Sequence, residues 1–198
     1  LRRQRQMCIR DSNYYGNAGA HGWFMESSGS LSKPSRLSGA FGLNSTVSTQ
    51  AITDGCSNTV LFSEVLRGAA PNRDRFDVTV ISTWGSNPPT NPNNFGPIDA
   101  SLAASCDAAA STINVTGLQY YRGNAHTSLY THTVPPNYTG RDCINFLGDQ
   151  FHLAARSRHD HGVNAGMADG SVRFLKDSIA FEVWKAYGTR SGDEIPAE

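Results

Sequence analysis

Charge is the first thing this sequence is short of. Asp, Glu, Lys and Arg make up only 17% of its 198 residues, and 17 basic residues offset 17 acidic ones to a net charge of zero. A zero balance removes the electrostatic basis for a nucleic-acid partner. No run of about 18 apolar residues is present either, so the chain itself carries no transmembrane helix signal. The longest apolar stretches, such as residues 78–81, have the length of a strand. Also missing are a Gly-x-Ser-x-Gly elbow, a P-loop, a dinucleotide fingerprint and any Cys-x-x-Cys pair. Those absences leave acyl transfer, phosphate binding, zinc ribbons and thioredoxin-type redox chemistry without a sequence basis. Disorder is excluded differently: it goes with high net charge and few aromatics, whereas this chain has 3 Trp, 7 Tyr and 9 Phe.

What the chain does have is small polar residues. With 19 glycines, abundant Ser, Thr and Asn, and an apolar fraction of 38%, it reads as one loop-rich, partly β domain suited to an extracellular setting. Residues 1–12 break with the rest. They hold Arg2, Arg3, Arg5 and Arg10 without apolar periodicity, and read as a non-native segment rather than a basic patch, so the domain is taken as residues 13–198. Cys8 falls in that segment. Of the other cysteines, Cys106 and Cys143 flank a loop-rich stretch and can form a disulfide in an oxidising compartment, leaving Cys56 as an odd, buried thiol.

Residues 13–19 read as a short strand running into a glycine turn, and 26–50 as an exposed loop with a short strand near 40–43. Strands are expected over 59–66 and 77–84. Four prolines make 86–97 a loop, and 120–134 alternates aromatic, His and Thr residues. The C-terminal fifth is clearest. Strands over 162–168 and 171–176 flank Asp169-Gly170, which reads as a two-residue type I′ turn. Val172 and Phe174 then share one face, as do Val163, Ala165 and Met167. Asp177 or Ser178 offers an N-cap for a helix through Tyr187, with Ile179, Val183, Trp184 and Tyr187 as its stripe and Gly188 at C′.

The candidate chemistry is thin. On a strand, His159 and His161 would face one side, and Asp169 could complete a metal site; the plainer reading makes the histidines local hydrogen-bonding groups and Asp169 a turn residue. Asp54, Asn58 and Glu64 could give oxygens to calcium, though not at EF-hand spacing. Sequons stand at Asn44, Asn114 and Asn137. A carbohydrate- or solute-binding surface is favoured if Trp84, Tyr120, Tyr121 and Tyr130 line a groove.

Four stretches carry a resemblance. His159, nine residues, then Asp169-Gly170 resembles the His-X9-Asp-Gly signature of a large bacterial family abundant in planctomycetes, labelled a domain of unknown function. Ile52-Thr53-Asp54-Gly55-Cys56-Ser57-Asn58-Thr59 resembles its ITDGTSNT motif, with Cys56 in place of Thr and with Glu64 at the expected distance. Residues 13–19 resemble its NYAGNAG segment, and 183–194 its closing helix and tail. Members resemble type IV pilins and type II secretion pseudopilins, with a prepilin-type leader and a long hydrophobic helix. The resemblance implies an α+β, antiparallel pilin-like head whose N-terminal helix is missing here. It further implies a membrane-anchored, extracytoplasmic subunit that assembles with other pilin-like subunits, has no catalytic role and no required cofactor, and exposes an apolar face where the helix belongs. The alternative is an extracytoplasmic module binding a solute, carbohydrate or metal ion.

Overall fold

The computed structural model describes residues 11–22, 38–42, 46–68, 78–81, 106–109, 112–113, 115–145 and 151–193. Residues 1–10 with Cys8, Trp84, the proline-rich 86–97 stretch and the sequons at Asn44 and Asn114 lie outside them. Asp11 and Ser12 are tied to the domain: Asp11 pairs with Arg67 at 2.7 Å, and the Ser12 N–H donates to Gly117 O at 2.8 Å.

The architecture is α+β with few helices. Strand β1 (Tyr14–Asn17) leads, through a 3-10 turn at Thr49–Ala51, to β2 (Val60–Glu64) and β3 (Val78–Ile81). After β4 (Thr112–Ile113), the four-residue helix α1 (Ala125–Ser128) runs into β5 (Leu129–Tyr130). Then come β6 (Cys143–Asn145), β7 (Phe151–His152), β8 (Gly162–Met167), β9 (Val172–Lys176) and helix α2 (Phe181–Gly188).

The strands form two sheets, ordered β5-β1-β2-β8-β9 and β4-β3-β6-β7. The expectation of an antiparallel sheet needs correction, because both are mixed: β1 runs parallel to β5, and β3 parallel to β6. Alternation of side chains reveals a strand but not its direction. A parallel pair needs a long crossover, and here residues far apart in the chain, Gly16 and Leu129, lie side by side.

Two local features also differ from expectation. The β8–β9 turn is a three-residue loop, not type I′. Gly170 N–H donates to Met167 O and Met167 N–H to Ser171 O, and in the loop only Gly170 takes positive φ, at 87°. That is a type I turn followed by a left-handed glycine, whereas type I′ needs positive φ at both central residues. Helix α2 begins later than its polar candidates allow: Ala180 is the N-cap, without a side-chain hydrogen bond. Asp177 is already used, accepting from Asn137 Nδ2 at 2.8 Å while its N–H closes the hairpin on His161 O. Gly188 is the last helical residue rather than the one beyond it, and a Cβ there would run into the His132 ring.

One core serves both sheets. Tyr15, Val60, Tyr130, Val163, Ala165, Met167 and Leu175 from the first meet Ile144 and Phe151 from the second, with Trp184 and Tyr187 of α2 packed among them. A β-bulge between Val60 and Phe62 interrupts the alternation of β2, so that Val60 and Ser63 are both fully buried. Trp184 is also fully buried, and its indole N–H donates to Val134 O at 2.7 Å. Among the described residues, the other face of the five-stranded sheet keeps several large apolar side chains in the open.

Candidate functional site

Period-two alternation assigns that second face residue by residue. From the register, Tyr14 and Gly16 of β1 stand beside Glu64 and Phe62 of β2. Phe62 lies opposite Gly166, and on the hairpin Asn164 faces Phe174 while Gly166 faces Val172. Four of the six large hydrophobic side chains exposed among the described residues lie here: Tyr14, Phe62, Val172 and Phe174. Phe41 joins them, its ring 5.1 Å from that of Phe62 and lying over Gly16. Glycine at 16 is required by this close approach, since a Cβ would sit 2.8 Å from the Phe41 ring.

A polar notch interrupts the face. Glu64 Oε2 accepts from the Asn164 N–H at 2.7 Å, while Oε1 accepts from His159 Nε2 at 3.1 Å, Asn164 Nδ2 at 3.3 Å and the Tyr14 hydroxyl at 3.4 Å. Partial burial, then the charge and hydrogen bond of Glu64, raise the Tyr14 phenol above its ordinary pKa. His159 also meets the Phe174 ring edge-on at 6.3 Å. The structure thus brings together two residues singled out separately in the sequence, Glu64 and His159. Phe41 and Asn164, which complete the face and the notch, had no motif to mark them.

Asp54 does something different. Buried, its carboxylate accepts from Thr189 Oγ1 at 3.1 Å, Gly192 N–H at 2.8 Å and Asp193 N–H at 3.1 Å. Gly55 takes φ 98°, and Asn58 Nδ2 donates back to Asp54 O at 3.1 Å. Ser57 is exposed at the turn, and the Cys56 carbonyl accepts from the Asp169 N–H. The motif around Asp54 is a clamp that holds the C-terminal tail and the hairpin tip together. Cys56 is a free, half-buried thiol rather than a buried one.

Neither candidate metal site is assembled. His159 and His161 lie in the turn before β8, where His161 has φ 59° and is exposed, so strand alternation does not align them. Asp169 lies beyond the other end of the six-residue β8, roughly 20 Å away at strand rise. Its carboxylate accepts from the Ser171 hydroxyl and N–H, which hold its pKa below the usual range. Glu64 stands on the sheet face and Asp54 faces the tail, so the calcium set with Asn58 does not converge either. No group of three or more metal-ligating side chains occurs among the described residues.

Cys106 and Cys143 form a disulfide, both buried. The condition for a binding groove of Trp84, Tyr120, Tyr121 and Tyr130 is not met at Tyr130, which is fully buried with its hydroxyl 2.9 Å from His132 Nε2. Tyr120 and Tyr121 are exposed on a turn, their rings perpendicular and 5.8 Å apart.

Set against known proteins, residues 3–182 match a family model described as "Protein of unknown function (DUF1559)". No curated protein and no solved structure matches the chain.

Proposed function

Since the chain belongs to the DUF1559 family of proteins of unknown function, we propose that it is the globular head of a pilin-like, non-enzymatic subunit of an extracytoplasmic assembly. In this reading a hydrophobic helix N-terminal to β1 covers the sheet face of Tyr14, Phe41, Phe62, Val172 and Phe174. That face is the observation that carries the reading: contiguous exposed apolar groups mark a docking surface. Gly166 keeps its middle low, since a Cβ there would meet Phe62 O only at 4.0 Å, so that a helix backbone can come close. Continuity adds support, because β1 opens on Tyr14, itself part of the face. The Cys106–Cys143 disulfide agrees with an oxidising compartment. Partners are then the helix itself and neighbouring subunits, and the membrane is reached only through that helix.

The gene upstream of this chain tests the proposal. A short basic leader followed by about 20 apolar residues is expected. An ordinary cleaved signal peptide, or no export signal, overturns it. In the protein itself, Phe62→Ser with Phe174→Ser should reduce binding of a hydrophobic dye several-fold while leaving the fold intact.

A further inference from the structure

Of the six exposed large hydrophobic side chains among the described residues, the two outside the sheet face are neighbours, Tyr120 at 59% and Tyr121 at 65% exposure. We propose that this turn is a saccharide-binding site, independent of how the sheet face is covered. The rings meet at 89°, forming a corner in which one presents its face and the other its edge. A pyranose ring has an apolar C–H face and a rim of hydroxyls, and such a corner offers stacking and hydrogen bonding together.

Next to the tyrosines in the chain stand Gln119, Arg122, Gly123 and Asn124, a polar set that offers donors and acceptors to a rim of hydroxyls. Arg122 Nη1 donates to Gln119 Oε1 at 2.9 Å, which orients the guanidinium and leaves further donors on its fork.

The turn is also held in place before any ligand arrives. The Gly117 N–H donates to the Tyr15 hydroxyl at 2.6 Å, the Arg122 N–H to Gln119 O at 3.0 Å, and Thr127 Oγ1 to Arg122 O at 2.6 Å. Preorganisation of this kind lowers the ordering cost of binding.

The test is an NMR titration of the chain with cellohexaose, chitohexaose and hexagalacturonate. At least one should shift the resonances of residues 119–124 saturably, and Tyr120→Ala with Tyr121→Ala should weaken that binding more than tenfold at an unchanged melting temperature. Dependence on Arg122→Gln for hexagalacturonate alone would identify an acidic sugar as the preferred class. Failure of all three to bind, or binding that survives the double substitution, overturns the proposal. So does a double variant that loses self-association in the ultracentrifuge while no sugar binds, which would assign the turn to a protein contact.

Discussion

His132 shows how much one buried side chain can set. Its ring stacks on Trp184 at 3.9 Å, Nδ1 lies 2.7 Å from Trp184 O, and Nε2 accepts from the Tyr130 hydroxyl. Burial lowers its pKa to about 3, against the opposing effect of the Trp184 hydrogen bond. In the unfolded chain a histidine titrates near ~6.5. As pH falls below that value, the unfolded state takes up a proton that the folded state refuses, so stability is full above it and declines towards the folded pKa, by up to about 1.4 kcal/mol per pH unit. His126, also lowered by burial and then by Arg122, acts in the same direction. The urea midpoint should therefore be lower at pH 4.5 than at pH 7.5, with a smaller drop in His132→Gln; equal midpoints in the parent protein would refute the assignment. In the sequence, attention falls on His159 and His161, because a His-Asp-His run looks like ligands. Nothing local marks His132, whose environment is supplied by a helix residue 52 positions downstream.

At the scale of elements, the Asp54 clamp makes the plainest prediction. Asp54→Ala leaves the Gly192 and Asp193 N–H groups without this acceptor, while the Thr189 hydroxyl keeps Ala186 O at 3.1 Å, at a cost of about 1–3 kcal/mol. Hydrogen exchange should quicken at residues 189–193 while β8 and β9 keep their protection; uniform loss across the hairpin would contradict the clamp. Elements built from neighbouring residues were legible in advance: β1, β2, the β8–β9 hairpin and α2 all follow from alternation, turn residues and a helical stripe. The hairpin loop type was not, because Asp-Gly suits both a type I′ turn and a type I turn with a following left-handed glycine. The strand directions were not either, since β5 reaches β1 only through the tertiary fold. Glu64 and His159 were each visible, yet their pairing depends on β2 lying beside β8.

At the scale of the whole molecule, the two sheets share a core, and the smaller one carries a covalent tie. Cys143 lies in β6, and its bond to Cys106 closes a separation of 37 residues. The chain-entropy estimate for such a loop is about 4 kcal/mol. Reduction should lower the melting temperature and release the β4-β3-β6-β7 sheet first, seen as early exchange at residues 143–145. An unchanged melting temperature after complete reduction would show that the tie contributes nothing.

The order of strands in the larger sheet has a further consequence, for time rather than for stability. Its middle strand β2 pairs with β8 across a long stretch of chain, the partners of the Ser63–Asn164 hydrogen bond standing 101 positions apart. Within that sheet only the β8–β9 pair is local. Long-range pairing of this kind is slow to form. A chain emerging N-terminus first can make β1 and β2 early, and β5 can then join β1, but the other side of β2 has no partner until β8, at residues 162–167, appears. Such a polypeptide keeps one side of its middle strand unpaired through most of its synthesis, so the sheet is completed only as the last part of the chain arrives.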